Sequence, residues 1–347
     1  MQLYNKLSSK EREALIKQAG KERLTLSFYK YHHIENPKNF RDHLFITWNN
    51  LDVLGRIYVA NEGINAQLSL PADHFEAFKS HLDSIFFLKN VRLNIAIEHN
   101  NMSFLKLKIK VKSKIVADGL NDESFNVTDK GVHLNAEKFN KIVEQDNTVL
   151  LDMRNHYESE IGHFKNAVTP DVDTFRESLD IIEDDLKHHK EDKNLVMYCT
   201  GGIRCEKASA YFKHKGFKNV YQLEGGIIEY ARQVKQQGLE NKFLGQNFVF
   251  DDRRAERISD HVIARCHQCG TPFDVHTNCA NDACHILFIQ CPECAAKYHG
   301  CCSAKCQEFN ELPPDERNLL RGKIEFNGTK FGKRYRSREE SDMLDTA

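Results

Sequence analysis

The sequence predicts an α/β chain built in three parts, and three observations lead there. The first hundred or so residues read strand–helix–strand–strand–helix–strand. From about residue 132 to 240, short apolar strands alternate with helical stretches, the pattern of a doubly wound parallel sheet with helices on both faces. Beyond residue 240, nine of the eleven cysteines crowd between Cys266 and Cys306, and a basic tail follows.

A chain of 347 residues has room for roughly one to three domains. Its 49 basic and 50 acidic residues leave a formal net charge of −1. No global field therefore draws a nucleic acid in, and any such affinity must come from local patches. No apolar run approaches the length of a membrane span. The stretch from Met1 to Leu24 carries charges throughout and lacks the apolar core of a signal peptide. A soluble, cytoplasmic protein is expected, with no membrane partner. In a reducing compartment, a cysteine cluster points to metal before disulfides.

Within 1–118, Leu24 to Tyr31 reads as a strand, and Pro37 to Leu51 as a helix with Phe40, Leu44, Phe45 and Trp48 on one face. Gly55 to Val59 and Ile64 to Leu70 read as strands around the turn signal Asn61-Glu62-Gly63. Pro71 is expected to open a helix reaching about Leu88, and Val91 to Glu98 alternates as a strand. The order βαββαβ predicts a ferredoxin-like α+β domain. RNA-binding modules use that topology, and so do unrelated proteins, so it assigns no function alone. Leu105 to Lys112 alternates without a break, which in a strand puts Lys106, Lys108, Lys110 and Lys112 on one face. Such a row suits successive phosphates. It also suits a solvated edge strand that lysines keep from pairing with other chains. His32 and His33 would point to opposite faces and receive no role.

Residues 119–131 are polar and turn-rich and read as a linker. The central domain, 132–240, is organised around Leu195-Val-Met-Tyr-Cys199-Thr-Gly201-Gly202-Ile-Arg204-Cys205-Glu-Lys207. Three apolar residues and Tyr198 read as a buried strand, the glycines as a turn, and Ile203 onward as a helix. Cys199 thus stands where a strand ends and a helix begins, the place where ligands bind in open α/β sheets. Helix N–H groups, the helix dipole and Arg204 all favour a thiolate there, with Lys207 a further candidate, and the thiolate is the nucleophile. The spacing Cys-x4-Arg encloses less space than the phosphate-wrapping Cys-x5-Arg loop of cysteine phosphatases. It resembles the active-site loop of the rhodanese superfamily. Asp152-x-Arg154-x3-Glu158-x3-Gly162-His163-x3-Ala167 resembles that superfamily's signature, and Gly225-Gly226 its closing pair of glycines. Asp152, Arg154 and His163 are expected to form an internal ion pair and a loop-fixing histidine. Cys205 reads either as a resolving thiol for an oxidised Cys199 or as a packed helix residue.

In 241–314 the pairs Cys266/Cys269, Cys279/Cys284, Cys291/Cys294 and Cys301/Cys306 could supply two tetrahedral zinc sites. The opposing reading is a metal-free, redox-active region. From 315 to 347 a disordered tail is expected. Between Arg317 and Arg338 it carries eight basic residues against one acidic, with Phe326, Phe331 and Tyr335 interleaved. That composition suits RNA contact with base stacking, or a plain charged tail.

The resemblance then closes in. Phe28-Tyr-Lys-Tyr31, Glu62-Gly-Ile-Asn-Ala-Gln67, Asp152 to Glu158, Cys199 to Lys207 and Cys266-His-Gln-Cys269 are similar to the bacterial rhodanese-domain tRNA uridine hydroxylases, over about Leu24 to Pro314. Membership would imply formation of 5-hydroxyuridine at the tRNA wobble position from dioxygen, with an unknown electron donor, and an essential loop cysteine at Cys199. Val168 to Val172 departs locally from the family pattern. The residues alone reach only a nucleophilic cysteine able to carry sulfur as a persulfide. Sulfurtransfer to tRNA or a carrier protein is therefore the rival, and a non-catalytic RNA-binding or zinc-dependent scaffold is a third reading. Oligomeric state is not legible.

Overall fold

A computed structural model describes residue 3, residues 5–120 and residues 124–328. It opens with a helix that the sequence reading missed, α1 (Ser9–Ala19). Its start is fixed by a capping box between Ser8 and Glu11, but it buries only Ile16, so its apolar periodicity is weak.

The N-terminal sheet then forms as expected. Its strands are β1 (Arg23–Tyr31), β2 (Leu54–Ala60), β3 (Gly63–Pro71), β4 (Asn94–Ile95) and β5 (Leu107–Val111), in the order β4-β1-β3-β2-β5. Helices α2 (Pro37–Asn50) and α3 (Phe75–Ser84) cover one face, packing Leu44, Trp48, Phe78 and Leu82 onto Leu26, Phe28, Ile57 and Leu68. The other face carries Ser27, Tyr29, Arg56, Tyr58, Asn65 and Gln67. Two details differ from expectation. Pro71 ends β3 and also caps a short 3-10 turn (Ala72–His74) that runs into α3, and α3 stops at Ser84 rather than near Leu88. The strand expected over 91–98 shrinks to two residues: the Ala96 N–H still donates to the Thr25 carbonyl on β1, and the Ile97 N–H then turns to Glu256.

The central sheet is wholly parallel, in the order β6-β10-β9-β7, from β6 (Val132–Leu134), β7 (Thr148–Asp152), β9 (Asn194–Tyr198) and β10 (Asn219–Leu223). Every residue of β9 is buried, as a strand covered on both faces requires. Helices α4 (Ala136–Ile142), α5 (His156–Ser159), α6 (Phe175–Leu186), α7 (Ile203–His214) and α8 (Gly226–Gln237) complete the layers.

The chain then runs back over this domain. β11 (Phe243–Phe248) pairs antiparallel with β8 (Gly162–Phe164) and with β12 (Ala255–Arg257). The cysteine-rich part adds a hairpin, β13 (His276–Asn278) and β14 (Leu287–Ile289), and helices α9 (Pro292–Lys297), α10 (Ala304–Glu311) and α11 (Pro314–Leu320). Helix α11 corrects the expectation that disorder begins at 315. Phe326 is likewise not free to stack on a base: it is buried, with its ring centroid 5.0 Å from that of Phe309. Lys330, Phe331, Lys333, Arg334, Tyr335, Arg336 and Arg338 lie outside the described residues. No helix among the described residues is long and apolar enough to cross a membrane.

Candidate active site

Cys199 follows β9 directly and is fully buried at the turn into α7. The Gly202 N–H donates to its Sγ at 3.1 Å. Gly202 has φ +98°, and a Cβ there would come within 2.9 Å of the Tyr29 hydroxyl, so only glycine lets the loop close under the N-terminal sheet. Gly226 serves from below. Its φ is +67°, and a Cβ there would come within 2.5 Å of the Cys199 carbonyl oxygen. Helix α8 meets the loop in turn, the Ile227 N–H donating to that carbonyl at 3.0 Å.

Burial alone would push the Cys199 thiol up. The hydrogen bond from the Cys205 thiol, the charge of Arg204 and the backbone N–H groups of Cys205 and Arg204 outweigh it and bring the group down to about 6. Burial first, then the neighbouring Cys199, pushes Cys205 well above its ordinary value. One thiol is a thiolate at neutral pH, and its neighbour remains a protonated donor.

Arg204 is itself held. Its two terminal nitrogens donate to Glu158 at 2.6 and 2.7 Å, a bidentate pair with Glu158 fully buried. Burial opposes the charge on Arg204, and Glu158 more than restores it. Asp152 and Arg154 form the expected internal pair, fully buried, with Arg154 also donating to the Gly162 carbonyl at 2.6 Å. His163 Nδ1 lies 3.0 Å from the Phe164 carbonyl oxygen, away from the cysteine's partners.

The N-terminal domain is clamped onto α7. Lys207, fully buried, reaches Glu62 at 2.5 Å and Asp118 at 2.7 Å. The Tyr29 hydroxyl donates to Glu206 at 3.1 Å, and Asn94 Nδ2 to the Gly201 carbonyl at 3.3 Å. The result is a cleft of about 710 Å³ whose walls come from all three parts of the chain: the sheet face with Tyr29, Arg56 and Tyr58, the loop with Cys199 and Arg204, and Phe250 with the β13–β14 hairpin.

The lysine row falls on and around β5, which is an edge strand. Lys108, Lys110 and Lys112 are exposed and Lys106 is half-buried.

The cysteines gather into two groups of four. Cys266, Cys269, Cys291 and Cys294 bring their sulfurs within 4.8 Å of one another, and so do Cys279, Cys284, Cys302 and Cys306. Either group could hold a metal ion. Sulfur–sulfur separations of 3.6 Å (Cys269–Cys291) and 3.8 Å (Cys284–Cys302) match the roughly 3.8 Å edge of a tetrahedron with bonds of about 2.3 Å. Cys302 takes the place expected for Cys301. It precedes the Ser303 cap of α10, so its sulfur faces Cys306 one turn on, at 3.6 Å. The carbonyl of Cys301 instead accepts from Gln268 and Gln290.

A tRNA uridine(34) hydroxylase of Yersinia pestis is 55% identical over 330 residues, 95% of this chain and 92% of that protein. The chain belongs to the tRNA uridine(34) hydroxylase family. A second member, from Photorhabdus laumondii, is 52% identical over 346 residues, 99% of this chain and 98% of its own. Three domain families match in order: a UPF0176 acylphosphatase like domain at 23–115, a rhodanese-like domain at 135–233 and a rhodanase C-terminal domain at 244–307. Among solved structures, the BH2092 protein of Bacillus halodurans matches with a TM-score of 0.26 and 21% identity, over 33% of this chain and 77% of that one.

Sequence reasoning missed several residues that build this hydroxylase-family site. Tyr29 and Asn94 touch partners more than a hundred residues away, and no local spacing announces such contacts; Lys207, expected to favour the thiolate, turns instead to Glu62 and Asp118. Glu158 stood in the quoted signature, but its pairing with Arg204 did not follow from it.

Proposed function

We propose that this enzyme hydroxylates uridine at the wobble position of tRNA anticodons to 5-hydroxyuridine, with dioxygen as co-substrate. One observation carries the reading: a buried cysteine poised as a thiolate lines a cleft of nucleoside-accepting size, in a chain collinear with relatives bearing that name. The balance is one oxygen atom into the ring carbon–hydrogen bond and the other reduced to water by a two-electron donor. Cys199 supplies the nucleophile. Arg204, set by Glu158, holds the thiolate charge, and the Gly201-Gly202 turn presents the N–H that binds the sulfur. The low-lying Cys199 beside the protonated Cys205 suits a proton donor at the same site.

The two thiol groups are proposed as structural zinc sites, Cys266/Cys269/Cys291/Cys294 and Cys279/Cys284/Cys302/Cys306. Four thiolates with no open position suit a structural rather than catalytic ion. When bound, zinc would fix the fold of the part that supplies the hairpin wall of the cleft. Lys106, Lys108, Lys110 and Lys112 are proposed as phosphate contacts, and the cytoplasm as the place of action. The test is a reconstituted reaction on tRNA lacking the modification, followed by nucleoside analysis. Formation of 5-hydroxyuridine by the native chain, and none by Cys199→Ser, supports the reading. A sulfur-containing nucleoside would transfer it to the sulfurtransferase alternative.

A further inference from the structure

We propose that the face of the N-terminal sheet opposite α2 and α3 is the track on which the nucleotides flanking the target uridine lie, held by Arg56, Lys108 and Lys110 and stacked on Tyr58. The proposal rests on the hydroxylase reading and adds how that substrate is held.

Two aligned rows of side chains carry it. Strand register sets Ser27, Gln67, Arg56 and Lys108 side by side across β1, β3, β2 and β5, and Tyr29, Asn65, Tyr58 and Lys110 in the next row. Alternation along each strand sends their neighbours, such as Phe28, Ile57, Ala66 and Ile109, into the core beneath α2 and α3. Both rows therefore stand on the face opposite α2 and α3, which α7 meets at the Tyr29 end. At about 4.8 Å per strand, each row spans roughly 14 Å. One end abuts the cysteine loop, where Tyr29 bonds to Glu206 on α7. The six residues on β1, β3 and β2 line the same cleft as Cys199. The other end finishes on exposed lysines at the sheet edge.

The chemistry of the face fits single-stranded RNA. Arg56, Lys108 and Lys110 are exposed, and no ion pair or hydrogen bond among the described residues engages their side chains. Edge protection accounts for lysines on β5. It does not account for an exposed arginine and a half-buried tyrosine on the interior strand β2, beside those lysines and facing the cleft. A planar guanidinium suits phosphate, and an aromatic ring suits any base. Four-stranded sheets that display aromatics in this way stack about two or three bases. The rows thus lead a backbone from the lysine edge toward Cys199.

The test uses the full chain and an anticodon stem-loop RNA with a wobble uridine, titrated by fluorescence anisotropy at several salt concentrations, with melting curves to verify folding. Removing the three cations together (Arg56→Ala, Lys108→Ala, Lys110→Ala) should weaken binding and flatten the salt slope by about 2, at roughly 0.7 per phosphate contact. Tyr58→Ala should weaken binding about tenfold while Tyr58→Phe retains it. Wild-type affinity and slope in the folded triple variant would overturn the track, even with the native enzyme still forming 5-hydroxyuridine. Loss of binding in the variants supports the track on its own evidence, and a native chain that binds but forms no hydroxylated product would count against the activity alone. A native chain that does not bind the RNA overturns both.

Discussion

Arg204 and Glu158 meet in a buried, two-pronged ion pair, with nitrogen–oxygen distances of 2.6 and 2.7 Å, directly beside the Cys199 loop. The pair links the first turn of α7, which follows the Cys199 loop, to α5. It therefore sets both the position and the charge of the group that faces the thiolate. Removing one partner of a buried pair typically costs about 3–5 kcal/mol, because the other charge is left uncompensated. Glu158→Gln should lower the melting temperature markedly and reduce product formation even below that temperature. A melt within a degree or so of the native one would show that water or another group satisfies Arg204.

The thiolate has a pH signature. Cys199 ionises at about 6 in the folded chain, against an ordinary value of 9.0. Ultraviolet thiolate absorbance, native minus Cys199→Ser, should rise with a midpoint near 6. The sign for stability follows from linkage. Between those two values the folded state binds fewer protons than the unfolded one, so the contribution of this group grows as pH rises toward 9. It is lost as pH falls through 6. Melting curves of the native chain and Cys199→Ser should therefore diverge toward alkaline pH and converge in acid. Parallel curves across that range would contradict the depressed ionisation.

The inter-domain clamp predicts a second large effect. Lys207→Met takes from the half-buried Glu62 and the buried Asp118 the cation they share, leaving Asp118 with Lys114 at 2.7 Å as its remaining partner. The variant should be destabilised by about 3–5 kcal/mol. Mutating either carboxylate to its amide in the same background should recover part of that loss. A double variant no better than Lys207→Met would exclude charge imbalance as the cause.

Metal content separates the two candidate ligand sets. Protein purified without chelators should carry two zinc ions per chain by elemental analysis. Cys302→Ser should lower that count, and Cys301→Ser should leave it unchanged, because only the sulfur of Cys302 joins the second group. The opposite pattern would restore Cys301 as the ligand.

The parts legible in sequence were the local ones. Strand β9, the glycine turn and α7 are contiguous, so a continuous apolar run and turn chemistry were enough to locate Cys199 and Arg204. The same holds for the order βαββαβ, where apolar periodicity marked each element. Helix α1 escaped because it buries a single residue and owes its start to a cap. The choice between Cys301 and Cys302 escaped because adjacent residues point apart, and only the turn into α10 decides which sulfur faces Cys306. The contacts of Tyr29 and Asn94 with the loop escaped because they depend on docking between domains, a property that spacing along one segment does not encode.

A bare mass shift cannot decide which atom is added to uridine. Adding one oxygen and exchanging oxygen for sulfur change the nominal mass equally. The most direct measurement supplies heavy-isotope dioxygen to a reconstituted reaction of the native enzyme with tRNA and resolves the product nucleosides by accurate mass. Hydroxylation puts heavy oxygen in 5-hydroxyuridine and gives no product when air is excluded. An unlabelled, sulfur-containing nucleoside that forms without air and depends on a sulfur donor charging Cys199 would contradict it.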